Sequence, residues 1–158
     1  MKKKIMILGI LFVMSFFLFS CTNNYVYQES DFSLVITVDK TEVRVGDTVK
    51  VTATLTNLSG KGISIQMPRS YIKKTNDLIM MGVFRETSDY FFCLDDVKGG
   101  YRKKIRLKKD TEIQNKMEFQ IEELMGYEAA AEVYFYAESN YHKFIKIAAK
   151  PIKILVTE

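Results

Sequence analysis

One histidine, two cysteines and a few acidic pairs are all that this sequence offers for acid–base, nucleophilic or metal chemistry. His142 lies in Ser139-Asn140-Tyr141-His142-Lys143, which reads as a loop between the last two strands. A lone imidazole starts neither a catalytic triad nor a zinc site, since zinc needs three or four nitrogen, sulfur or carboxylate ligands. No nucleophile elbow, paired-cysteine motif, His-Glu-x-x-His or phosphate-binding loop is present. Asp89, Asp95 and Asp96 lack the spacing of a calcium loop, which must supply six to eight oxygens, and read as a solvated turn. Glu122-Glu123 reads the same way. Cys93, inside Tyr90-Phe91-Phe92-Cys93-Leu94, reads as a small buried hydrophobe. The expectation is a protein that is not an enzyme and holds no metal or cofactor.

A different chemistry is offered by Tyr101-Arg102-Lys103-Lys104-Ile105-Arg106-Leu107-Lys108-Lys109. On a strand, Ile105 and Leu107 take one face, and Arg102, Lys104, Arg106 and Lys108 share the other, roughly 6.5–7 Å apart. Each neighbouring pair repels by only roughly half a kcal/mol in water. Two readings stand. The row is a solvated or edge-strand face balanced by acids across the sheet, or it is a patch for anionic surface polymers or lipid headgroups. Lys143, Lys146 and Lys150 extend it if their strand lies nearby. Tyr134 and Tyr136, beside Glu132, point away from Val133 and Phe135, either to cover the sheet under a loop or to contact a glycan or protein.

The elements that must position these residues are strands. Val49, Val51, Ala53 and Leu55 alternate with Lys50, Thr52, Thr54 and Thr56, so one set is buried and the other is wet. Leu34, Ile36 and Val38 precede them, with Val35 blurring the pattern, and Gly46-Asp47 marks a turn. Asn57-Leu58-Ser59-Gly60-Lys61-Gly62 is a turn by composition, and Ile63, Ile65 and Met67 resume the alternation up to Pro68. Leu78 to Phe84 and Tyr90 to Leu94 alternate little and suit a hairpin covered on both faces. Ile113, Met117, Phe119 and Ile121 form another strand, with Glu118 and Gln120 outward. Glu122 to Met125 suits one helical turn. Ala131, Val133, Phe135 and Ala137 oppose Glu132, Tyr134 and Tyr136, and Ile152, Ile154 and Val156 follow Pro151. Seven to nine short strands, separated by turns and lacking a capped amphipathic helix, predict an all-β sandwich.

The chain begins with three lysines at positions 2–4 and then runs apolar from Ile5 to Phe19. That is a basic region before a short apolar core, the shape of a secretory signal, and it is short of the about 20 residues a spanning helix needs. Leu18-Phe19-Ser20-Cys21 resembles the bacterial lipobox. The resemblance implies cleavage before Cys21, a diacylglyceryl group on its thiol, and further acylation, such as palmitate, at the new amino terminus. Two or three chains make a stable anchor where one does not. On this reading 1–20 is a lipoprotein signal peptide, 21–31 a tether bearing Tyr25 and Tyr27, and 32–158 the folded domain. Without the leader the chain keeps 20 basic and 19 acidic residues, a net charge of +1 in place of +4. No global basic field remains to argue for nucleic acid.

"LVITVDKTEVRVGDTVKVTATLTNLSGKGISI" is similar to the opening of bacterial immunoglobulin-like extracellular domains, and "MGYEAAAEVYFYAES…AAKPIKILV" looks like their closing strand pair. The likeness implies an immunoglobulin-like β-sandwich and makes Tyr127 the candidate for a corner tyrosine that hydrogen-bonds back to the backbone. It implies a fold, not an activity. The expected protein is a lipid-anchored, extracytoplasmic lipoprotein of the cell membrane or outer membrane, with a non-catalytic binding or envelope-structural role. The bilayer is its expected partner through Cys21, with an envelope protein or an anionic glycopolymer besides. Docking on a transporter or envelope complex, and adhesion, are the alternatives.

Overall fold

Val49, Val51, Ala53 and Leu55 are sealed from water while the threonines between them stay partly exposed, which is the period of two read from the sequence. The computed structural model describes residues 25–67, 78–86, 103–137 and 144–158. These contain ten strands: β1 (Phe32–Val38), β2 (Glu42–Arg44), β3 (Thr48–Asn57), β4 (Ile63–Met67), β5 (Met80–Arg85), β6 (Lys103–Leu107), β7 (Glu112–Gln120), β8 (Tyr127–Ala137), β9 (Phe144–Ala148) and β10 (Ile152–Thr157). The smaller sheet has the order β1-β3-β7, and the larger runs β2-β10-β8-β4-β6, with β5 and β9 also paired to β8. Pairing is antiparallel except for β2, which runs parallel to β10. Two such sheets, the first, third and seventh strands in one and the closing strands in the other, make an immunoglobulin-like sandwich.

The strand count exceeds the expected seven to nine, and two stretches of the chain each divide between two pairings. The first leaves the smaller sheet after Val38 and joins the larger at Glu42. The last is interrupted between Ala148 and Ile152. Ala148 pairs with Glu132 and the Ala149 amide donates to Ala131 O, whereas Ile152 pairs with Ala129. Lys150 and Pro151 therefore stand opposite Ala130 alone, two residues against one, which is a β-bulge.

The core lies between the sheets. Leu34, Ile36, Val51 and Leu55 from one side meet Ile65, Leu107, Val133, Phe135, Ile145 and Ile154 from the other. Phe32 and Phe135 meet edge to face at 4.9 Å. Tyr27 joins this core, and Tyr25 packs edge-on against it at 5.0 Å while its hydroxyl donates to Asp31. A single 3-10 turn, Glu29–Asp31, connects them to β1. Residues 123–125 form bends rather than the expected helical turn. The segment is too short to close successive helical hydrogen bonds. Its one backbone bond spans only Met125 N to Glu123 O.

Turn chemistry fixes the registers. Gly46 and Gly60 adopt φ of +94° and +69°, which side-chain-bearing residues rarely do. Asn57, with no exposed surface, donates through Nδ2 to Lys61 O (2.7 Å) and Lys108 O (3.0 Å). Its Oδ1 accepts from Ser59 N and Oγ. One buried amide thus ties the β3–β4 turn to the β6–β7 turn. Asn57→Ala strands the two carbonyls, and leaving buried polar groups unsatisfied costs about 1–3 kcal/mol. Denaturant titration is expected to show that loss with an unchanged slope; an unaltered midpoint would assign the tie to the backbone alone.

Candidate functional site

Among the described residues β6 closes one edge of the larger sheet. Leu107 is buried and Ile105 half-buried, while Lys104, Arg106 and, just beyond the strand, Lys108 are exposed. The alternation expected of the basic row therefore holds over these positions. Arg102 and Cys21 lie outside the described residues, as do Cys93, His142, Lys143, Tyr141, Asp89, Asp95 and Asp96. The register on β4 sets Ser64 opposite Arg106 and Gln66 opposite Lys104. Neither carries charge, so the acids expected across the sheet are not supplied by the strand that pairs with β6.

From Lys104 the outer face continues through Gln66 to Tyr136 on β8 and Phe144 on β9, each opposite the next in register. Three strand spacings make this row about 14 Å long. It begins in a cation, passes an amide and ends in two rings packed at 5.1 Å. Gln66 and Phe144 were not singled out in the sequence, because their place in the row depends on pairings up to about 70 residues apart.

Beside this row, Tyr134 stacks on Phe144 at 5.5 Å. It is only 7% exposed although it points away from the intersheet core. Its hydroxyl donates to Glu132, whose carboxylate also holds Lys146 at 3.2 Å. The Lys146 ammonium sits 5.3 Å from the centre of the Tyr134 ring, within the range of a cation–π contact. Lys146 lies across β8 from β4 and β6, and its charge is met by Glu132, so it does not extend the basic row. Lys150 sits farther along, at the bulge. Of the two tyrosines read as outward, Tyr134 thus serves to cover the sheet, and Tyr136 stays half-buried in the row. Tyr127 is buried with its ring 5.7 Å from Phe119, and its hydroxyl makes no corner hydrogen bond to the backbone among the described residues. Among the described residues no cluster of His, Cys, Asp and Glu suits a metal.

No family model and no curated protein matches the chain. Several solved structures share its general form. The CARDB domain of PF1109 from Pyrococcus furiosus, in complex with di-metal ions, is 12% identical with a TM-score of 0.43, covering 85% of this chain and 97% of that one. The ASH/PapD-like domain 7 of human CEP192 is 9% identical with a TM-score of 0.43, covering 85% and 91%. Spo0M, a sporulation control protein from Bacillus subtilis, is 10% identical with a TM-score of 0.38, covering 81% and 50%.

Burial, followed by the hydrogen bond to the Glu132 carboxylate, raises the Tyr134 hydroxyl above its ordinary value of 10.0. The hydrogen bond with Tyr134, reinforced by Glu132, raises Lys146 above 10.5. Both groups hold their protons more tightly when folded. Their contribution to stability is therefore complete below the ordinary values and lost as pH rises through the raised ones. Glu132→Gln is expected to bring the Tyr134 titration down toward 10, read from the tyrosine ring carbons by NMR; an unmoved midpoint would leave burial as the whole cause.

Proposed function

We propose that the chain is a bacterial lipoprotein, held at the outer face of a membrane through acylated Cys21, whose immunoglobulin-like domain is a non-catalytic binder of anionic glycopolymers. The leader pattern and Leu18-Phe19-Ser20-Cys21 support the anchor. Among the described residues no helix is long and apolar enough to cross a membrane.

The observation that carries the binding reading is the exposed pair Arg106 and Lys108 at the end of β6, with neutral Ser64 opposite Arg106. Lys104, Arg106 and Lys108, continued in sequence by Arg102, present cations at the repeat of a strand to solvent. A flexible polyanion can place its charges along such a row without an enclosed pocket, and the attraction weakens with salt. Gln66 and Tyr136 next to the row offer an amide and an aromatic face of the kind that sugars meet, so a charged sugar polymer fits the surface better than phosphate alone.

Replacing Lys104, Arg106 and Lys108 together by Glu tests this. Binding of isolated anionic wall polymer should weaken with salt in the parent chain and fall by roughly a hundredfold in the variant, at about 1 kcal/mol per surface cation. Unchanged binding would sink the reading, and loss on anionic vesicles alone would assign the row to lipid headgroups. For the anchor, Cys21→Ser should abolish acyl labelling and move the protein to the soluble fraction. Membrane retention without any acyl label would argue for an uncleaved helix instead.

A further inference from the structure

Away from the basic edge, on the opposite side of the sandwich, β1 has an open side. Among the described residues it pairs with β3 alone. Which of its backbone groups face outward follows from the flanking bonds. The Leu58 amide donates to Asp31 O at 2.7 Å and the Asp39 amide to Lys50 O at 3.1 Å, both in the register that pairs Ser33 with Thr56 and Thr37 with Thr52. In an antiparallel pair, hydrogen-bonded and non-hydrogen-bonded positions alternate. The odd-numbered residues of β1 are therefore bonded to β3. The N–H and C=O groups of Leu34 and Ile36 point the other way, and among the described residues no strand pairs with them.

Those groups border a groove of about 460 Å³. One wall is Leu34, Val35 and Ile36, and the other is Lys150, Pro151 and Ile152. The bulge shapes the second wall. It turns Lys150 and Pro151 out of step with β8, and Pro151 has no N–H with which to satisfy β1. Bulges commonly re-aim side chains beside binding sites. The lining is mainly apolar, with one exposed cation, Lys150, at its border.

We propose that this groove takes an extended peptide segment of a partner protein, which adds as a strand to β1. The segment carries an acidic residue against Lys150 and an apolar side chain in the groove. The occupant is read from three observations. Donors and acceptors that repeat at every second residue are matched by an extended backbone and by little else. The apolar lining selects a residue that enters between the sheets. The lone charge at the border is positive. The site is independent of the basic edge, because β1 and β6 belong to different sheets.

The test uses the full-length chain and a seven-residue peptide of alternating Val and Thr with one central Glu. On binding, the amides of Leu34 and Ile36 should gain protection from hydrogen exchange, while Ser33, Val35 and Thr37, already bonded to β3, should not change. Lys150→Glu should weaken this peptide by about fivefold and strengthen its Glu→Lys counterpart by a similar factor, as one exposed ion pair allows. Protection without the even–odd alternation would overturn the proposal, as would chemical shifts confined to β6. Concentration-dependent protection of Leu34 and Ile36 in the absence of peptide would also overturn it, by showing that a second copy of the chain is the occupant.

Discussion

Strand β8 is the constraint on which the rest is registered. It pairs with β9 and β10 along one side and with β4 and β5 along the other. Its inner face, from Tyr127 through Ala129, Ala131, Val133 and Phe135 to Ala137, is buried throughout. A slip of one residue would exchange that face for Glu128, Glu132 and Tyr134, moving carboxylates into the core. The three alanines leave room for larger partners opposite, and Phe135 fills the space by meeting Phe32 from the other sheet. Four neighbouring strands inherit their positions from that one burial requirement, and so does the row from Lys104 to Phe144.

The bulge reconciles that register with the closing strand. Without an extra residue at Lys150-Pro151, the side chains of β10 would be inverted relative to those of β9. As built, Ile145 and Ile147 before the bulge and Ile154 after it all face inward, although the intervals between them mix odd and even. The same device leaves a proline, which has no N–H to donate, beside the side of β1 that no described strand pairs with. A local solution to packing thus creates the groove, much as the early departure of β2 from the smaller sheet leaves β1 short.

The sequence disclosed the strands whose two faces meet different surroundings. β3 alternates because one side is sealed and the other is partly wet, and β6 shows the same contrast between Leu107 and Arg106, whereas on β8 the inner face is sealed and the outer face mixes half-buried Glu128, Glu132 and Tyr136 with buried Ala130 and Tyr134. It disclosed β5 poorly. There Met80 is buried and the next four residues are all half-buried, and the Phe84 ring lies so near Gly82 that a Cβ would sit 2.7 Å from it. With both faces partly covered, no period of two survives. The change of sheet between β1 and β2 was also hidden, since Val38 and Val43 are apolar whichever sheet they join. At the site, the cations on β6 were legible from spacing alone. Their neutral partners were not, because the pairing of Ser64 with Arg106 is a tertiary fact. Likewise Glu132 and Lys146 stand 14 positions apart, and only the β8–β9 register brings them to the same tyrosine.

The two ends of the domain are not equivalent with respect to an anchor at Cys21. Four Cα-to-Cα steps of at most about 3.6 Å each separate Cys21 from Tyr25, so the Cα of Cys21 can stand no farther than about 14 Å from that of Tyr25. The Tyr25 ring is itself covered by the Lys61 ammonium at 4.6 Å. The Lys61 carbonyl shares the Asn57 amide with the carbonyl of Lys108. The point where the chain enters the domain and the Lys108 end of the basic row therefore belong to one end of the sandwich. Were Cys21 acylated as proposed, that end would face the membrane, and the row from Lys108 through Arg106 to Lys104 would lead outward along β6. An anionic polymer rising from the same surface would meet the cations in that order. The attraction is felt within roughly a Debye length of about 8 Å, so the residues nearest the lipid would capture it first.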